Sequence, residues 1–111
     1  MSDRKRRCDR NHIIYLLLSP SGKRYLGLTF VRDSAKKRSL EERWSAHVRN
    51  AMEYGHDTLL CRAIREEGAE NFGKCVVCTV RGKAEAHEME RKFIAQMKPE
   101  LNMEGMGRKR L

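Results

Sequence analysis

Ile13-Ile14-Tyr15-Leu16-Leu17-Leu18, then Ser19-Pro20-Ser21-Gly22, then Lys23-Arg24-Tyr25-Leu26-Gly27-Leu28 is the stretch that decides the fold. Two apolar runs flank a Ser/Pro/Gly cluster, and that pattern predicts a β-hairpin with its turn over 19–22. Side chains on a strand alternate between faces, so Tyr15 groups with Ile13 and Leu17, and Tyr25 groups with Gly27. A glycine beside a tyrosine clears that face for the close approach of something bulky, such as a nucleic-acid backbone. Two of the three tyrosines in the chain fall in this hairpin. Either both are ordinary strand aromatics or they share a task.

Downstream of the hairpin, Ser39-Leu40-Glu41-Glu42 has the spacing of a capping box and predicts a helix from Leu40. Leu40, Trp44, Val48 and Ala51 recur at helical spacing and make its buried stripe. Arg43 and His47 are four apart and run along the edge of that stripe. Asp57 or Thr58 is placed to cap a second, short helix that ends at Gly68. Its residues Leu60, Ala63 and Ile64 face the core, and Arg62 and Arg65 face outward, within reach of DNA. Phe72–Val80 reads as a buried strand, Arg81-Gly82-Lys83 as the turn into a last helix, and Pro99 as its stop. On that helix Ala86, Met89, Phe93, Ile94 and Met97 form an apolar face with Glu90 in its middle. A carboxylate buried there needs a cation, an arginine or a water-filled cleft; otherwise the face is narrower and Glu90 reaches solvent. The order strand, strand, helix, helix, strand, helix makes a small α+β domain over about residues 12–104.

Ile14-Tyr15, Tyr25-Leu26-Gly27, Arg43-Trp44-x-x-His47, Glu90 and Leu101-Asn102 occur in an order that resembles the GIY-YIG nuclease family. The resemblance spans most of the chain and is nearest to the small nuclease domains of phage-type homing endonucleases. Two positions depart from the pattern: Ile13 stands where the first motif has its glycine, and Leu26 where the second has isoleucine or valine. The resemblance implies a three-stranded antiparallel sheet flanked by helices. It also implies a DNA endonuclease that leaves 5′-phosphate and 3′-hydroxyl ends. Carried over by position, Glu90 would hold one Mg²⁺ or Mn²⁺. Arg43 would neutralise charge on the phosphoryl oxygens. Tyr15 would take the proton of the attacking water, with His47 and Tyr25 positioning it and Asn102 completing the site by an amide hydrogen bond. A tyrosine normally titrates near ~10, so this base needs positive charge nearby, which Arg43, Lys23 and the cation would supply.

Charge agrees with a polyanionic substrate. The chain has 24 Lys+Arg against 15 Asp+Glu, for a formal net charge of +9, and such a balance favours nucleic acid by counterion release. Basic runs lie at Arg4-Lys5-Arg6-Arg7 with Arg10, at Lys36-Lys37-Arg38, and at Arg108-Lys109-Arg110. Residues 1–11 and 105–111 read as basic arms that either grip phosphates without reading sequence or serve as solvated or targeting tails. Lys36, Lys37 and Arg38 read as a loop beside the site that contacts phosphate, together with Lys23 and Gly27.

The length suits one domain with a modest core. No stretch approaches the ~20 apolar residues of a membrane span, and no apolar segment follows the basic N-terminus as in a secretory signal. A cytoplasmic location is therefore expected, that of the host if the chain is phage-encoded. Cys75-Val76-Val77-Cys78 is a Cys-x-x-Cys, which suggests zinc or redox chemistry. On a regular strand, however, residues three apart point to opposite faces, which favours free thiols. Cys8 and His12 are four apart, and Cys61 has no paired spacing. With so little chain after Asn102, sequence choice is expected from the domain's own loops, a homodimer or a specificity-conferring partner, or scarcely at all, and weak intrinsic specificity is the expectation. The alternative function is a catalytically inactive nucleic-acid-binding module of the same fold.

Overall fold

The computed structural model describes residues 10–32 and 34–102. The basic runs at 4–7 and 108–110, Cys8, the rest of 1–9, residues 103–104 of the expected domain and the tail at 105–111 lie outside the described residues; Asn11, expected in the N-terminal arm, is the first residue of a strand. Strands β1 (Asn11–Leu18) and β2 (Arg24–Phe30) are followed by helices α1 (Lys36–Met52) and α2 (Leu59–Glu67). Strand β3 (Gly73–Arg81) and helix α3 (Lys83–Met97) complete the chain order. The fold is α+β, with a three-stranded antiparallel sheet in the order β2-β1-β3.

The hairpin forms where its turn chemistry places it. Gly22 N–H donates to the Ser19 carbonyl at 2.9 Å, with Pro20 second and Gly22 fourth in the turn. Gly22 adopts φ 93°, open to glycine at no steric cost. Ser19 Oγ accepts from Lys23 N–H at 3.0 Å, and Glu67 at the end of α2 accepts from the Ser21 N–H and hydroxyl. Tyr15 pairs with Gly27 and Leu17 with Tyr25, so the two tyrosines share a sheet face as the alternation predicts.

On that face Ile13, Tyr15 and Leu17 pack with Leu40, Trp44 and Ala51 of α1, Leu60 and Ile64 of α2, and Leu101. The opposite register carries Ile14 and Leu26, both fully buried. Each such aliphatic side chain contributes about 1.5–3 kcal/mol of burial. Thr58 caps α2, its Oγ1 accepting from Cys61 N–H at 3.1 Å, and Gly68 ends it at φ 90°. Arg62 is held by Asp57 at 2.8 Å, and Arg65 donates to the Ala51 and His56 carbonyls. These arginines brace the α1–α2 connection.

Three expectations are corrected. First, α1 begins a turn earlier than Leu40, and Ser39 is buried inside it. Its hydroxyl accepts from Arg32 N–H at 3.0 Å, so the group expected to cap the helix ties down the incoming chain instead. Lys36, Lys37 and Arg38 are consequently the exposed first turn of α1 and not a loop.

Second, β3 is an edge strand and is largely exposed, with Val76 and Val77 each 37% accessible. Third, a bulge between Ile14 and Tyr15 leaves Val77 extra in the ladder. Cys78 pairs with Ile14 and Cys75 with Leu16. Positions 14 and 16 share a face, so the bulge returns the two cysteines to one face, where regular alternation would separate them. Both thiols are free, as is buried Cys61. Among the described residues no helix is long and apolar enough to cross a membrane.

Candidate active site

Tyr15 stands at the centre of the site because of what lies opposite it. A Cβ built on Gly27 would come within 2.4 Å of the Tyr15 ring carbon Cζ and of the hydroxyl oxygen. The space left by the missing side chain is therefore filled by the Tyr15 phenol and is not open to a nucleic-acid backbone. Gly27 sets where the phenol lies. The ring is 1% exposed, and its hydroxyl is 2.8 Å from His47 Nε2. Tyr25 approaches the His47 ring edge-on at 5.4 Å between centroids, and the two tyrosine rings are 6.4 Å apart. The α1 spacing that puts His47 on the buried stripe thus delivers its imidazole onto the β1–β2 face.

Burial in this cluster sets the protonation states. The Tyr15 phenol is pushed well above its ordinary value, mainly by desolvation and also by Tyr25, while the Arg43 guanidinium pulls it back. Tyr25 is raised for the same first reason, again opposed by Arg43. His47 is lowered to about 4, first by burial and then by Arg43. At neutral pH the imidazole is uncharged, so the phenol donates and Nε2 accepts.

This gives a pH prediction for stability. The folded-state pKa of His47 lies below its unfolded value of about 6.5, so the unfolded chain holds more protons between the two. The contribution is intact above pH ~6.5 and is lost as pH falls toward ~4, amounting to about 3 kcal/mol. Urea midpoints between pH 4 and 7 should fall steeply on acidification in the wild type and less steeply in His47→Gln. Parallel profiles would remove His47 as the cause.

Arg43, four residues before His47, carries the feature that most calls for a ligand. Its Nε is buried without a hydrogen-bond partner among the described residues. Native proteins leave few such donors unpaired, and each costs about 1–3 kcal/mol. Arg43 lines two cavities. One, of about 380 Å³, also touches Tyr25, His47, Asn50, His56 and Asn102. The other, of about 450 Å³, touches Tyr15, Tyr25, Thr29, Phe30, His87 and Glu90. By register Thr29 lies on the Tyr15 face and Phe30 on the opposite one, so this second cleft wraps the free edge of β2.

Glu90 faces the cleft from α3 with its side chain 21% exposed, 3.9 Å from His87 Nδ1. Burial raises its carboxyl pKa, against the pull of His87 and Arg91. The apolar face drawn around it is looser than its periodicity implies, since on α3 only Ala86 is fully covered and Met89 is 38% exposed. Among the described residues no set of three or more His, Cys, Asp or Glu converges as a metal cage. A half-buried carboxylate at an open cleft suits a Mg²⁺-like ion that keeps most of its waters.

Asn102 is structural in its contacts. Its Oδ1 accepts from Leu26 N–H at 2.7 Å and its Nδ2 donates to the Leu26 carbonyl at 2.9 Å. The amide thereby pairs with the free edge of β2, as one residue of a fourth strand would. Glu100 supports it by accepting from its own and the Arg24 backbone N–H, which lowers its carboxyl to about 2. Arg24 in turn donates to the Met97 carbonyl at the end of α3. Asn102→Asp keeps one bond and sets a carboxylate against a carbonyl. It should cost about 2 kcal/mol, or roughly 10 °C in Tm. A change within 2 °C in a thermal scan would show the pair to be dispensable.

One expected source of charge for Tyr15 lies elsewhere. Lys23 is exposed at the hairpin tip, where its charge acts on Glu67 and not on Tyr15. His12, a wall of the cleft not singled out for the site, donates its Nδ1–H to the Arg10 carbonyl at 2.9 Å. Its position on β1 beside the basic N-terminal run was the available signal. Comparison of the chain with protein-family models, curated proteins and solved structures finds no match.

Proposed function

We propose that this chain is a metal-dependent DNA endonuclease of the GIY-YIG type, with 5′-phosphate and 3′-hydroxyl products. The observation that carries the reading is the joint placement of Tyr15, Tyr25, His47 and Arg43 in one cluster that opens onto Glu90. A binding module has no use for a buried phenol–imidazole pair or for an arginine held with a bare Nε.

The chemistry follows from these groups. A backbone phosphate in the cleft would satisfy Arg43 Nε, and its charge would relieve the pressure that Arg43 puts on His47. Tyr15 then accepts a proton from the attacking water while passing its own to Nε2 over the existing 2.8 Å hydrogen bond. The raised pKa of Tyr15 argues against a free phenolate as the resting base and in favour of this relay. A divalent cation at Glu90, Mg²⁺ or Mn²⁺, would supply Lewis-acid stabilisation of the departing oxygen.

DNA is the partner the charge favours. Lys36, Lys37 and Arg38 form the cationic first turn of α1, where the macrodipole disfavours positive charge. A phosphate there would offset that cost. One such site nicks one strand per encounter, so a double-strand break would require two events, a homodimer or a specificity-conferring partner. We place the protein in the cytoplasm and read it as a phage or mobile-element enzyme.

The test is supercoiled plasmid with Mg²⁺ or Mn²⁺, with and without EDTA. Metal-dependent conversion to nicked and then linear DNA is expected. Binding without cleavage of plasmid or branched DNA would replace the enzyme with the inactive binding module.

A further inference from the structure

Helix α3 presents a second metal-binding type of side chain to the cleft, and the chemistry above leaves it idle. His87 lies three residues before Glu90, on the same side of the helix, and both line the cavity with Tyr15, Tyr25 and Arg43. We propose that His87 is a second protein donor to the cation at Glu90, so that the ion is held by one imidazole and one carboxylate. The inference rests on the metal-dependent reading above and deepens it.

The geometry supports shared coordination better than a direct bond. His87 Nδ1 and Glu90 Oε1 are 3.9 Å apart, beyond hydrogen-bond range. Two adjacent donors on one octahedral ion stand about 3 Å apart. Closing that gap takes a movement of about 1 Å between an imidazole that is 48% exposed and a carboxylate that is 21% exposed. Residues three apart on a helix lie on one face, so both side chains can reach the same point beside it.

The cavity that the pair lines holds about 450 Å³. The other cations near the pair are Arg91 on α3 and Arg43 on α1, and His12 on β1 is bonded to the Arg10 carbonyl. As an ordinary ion pair, half-exposed and at 3.9 Å, the two side chains would contribute little. As two donors they change ion preference, because an imidazole favours later transition ions over Mg²⁺ more strongly than a carboxylate oxygen does.

The experiment is equilibrium binding of Mn²⁺, Co²⁺ and Mg²⁺ to the full chain without DNA, with pulsed EPR of the Mn²⁺ complex. Wild type should show nitrogen modulation from a directly bound imidazole. His87→Ala should lose that modulation and bind Mn²⁺ and Co²⁺ about tenfold or more weakly, with a smaller loss for Mg²⁺. His87→Asp should restore Mg²⁺ binding while leaving the nitrogen signal absent.

Mn²⁺ that is lost in Glu90→Gln, yet shows no nitrogen modulation and binds His87→Ala equally well, would overturn the proposal and leave His87 a surface neighbour. Mn²⁺ binding that survives Glu90→Gln would instead remove the cation from Glu90. That result overturns the metal reading itself and the His87 proposal with it.

Discussion

Glu90→Gln should lower the rate of plasmid nicking by about 10³-fold or more while leaving DNA binding within about twofold. Losing Lewis-acid stabilisation at the departing oxygen removes several kcal/mol from the transition state, and each 1.36 kcal/mol is a factor of ten. The substitution keeps shape and hydrogen-bonding capacity, so a large loss isolates the charge.

The same variant makes a second, opposite prediction in the absence of metal. Burial raises the Glu90 pKa, so the folded state holds its proton more tightly than the unfolded chain. Its contribution to stability is present below the unfolded pKa and is lost as pH rises through the folded one. At neutral pH the bare carboxylate is a liability, and Glu90→Gln should raise Tm by a few degrees. Added Mg²⁺ should raise Tm in the wild type alone, by mass action on the folded state. Equal activity in the two proteins, or a variant that is less stable without metal, would show that Glu90 is not the charge the cleft is built around.

Activity lost as stability is gained would mark Glu90 as a functional residue, and such a residue is readable in sequence only in part. The hairpin and the α1 stripe were legible because they depend on local facts: the turn residues Ser19–Gly22, and the recurrence of Leu40, Trp44 and Ala51 at helical spacing. Glu90 was legible as a conflict, a carboxylate amid apolar neighbours. What was not legible depends on partners distant in the chain. Ser39 has a capping-box spacing, but Arg32 N–H takes its hydroxyl. The Val/Cys/Thr run of β3 is the same whether a strand is central or at the edge, so nothing in it announces exposure.

One extra residue at Val77 reverses the parity that separates Cys75 from Cys78. The role of Gly27 is the clearest case. Spacing showed an open face, and only the β1–β2 register shows that Tyr15 occupies it. The two residues pair directly, so the missing side chain on one strand creates the seat for the phenol on the other. Lys23 shows the reverse error. Nearness in sequence to Tyr25 suggested a charge for the site, but the turn carries Lys23 to the far end of the hairpin, beside Glu67.

Arg43 joins these arguments, because its guanidinium is held against Tyr15 while its buried Nε is left without a partner among the described residues. Arg43→Ala should slow cleavage by about 10³-fold at saturating DNA, the size expected when a guanidinium that meets developing phosphoryl charge is removed. Arg43→Lys should recover no more than about tenfold of that loss. An ammonium restores charge but not the fork whose Nε lies buried and unpaired.

Stability should move the other way. Truncation removes an orphaned donor together with the charge that depresses His47, so the variant should unfold at or above the wild-type temperature. The pKa of His47, read by NMR titration, should rise toward its ordinary value, although burial, the larger cause, keeps it low. Its shift measures the field that Arg43 exerts on the Tyr15–His47 pair, independently of any cleavage assay. A full-rate Arg43→Lys, or a His47 titration unmoved by Arg43→Ala, would separate the arginine from the chemistry and return it to the surface of α1.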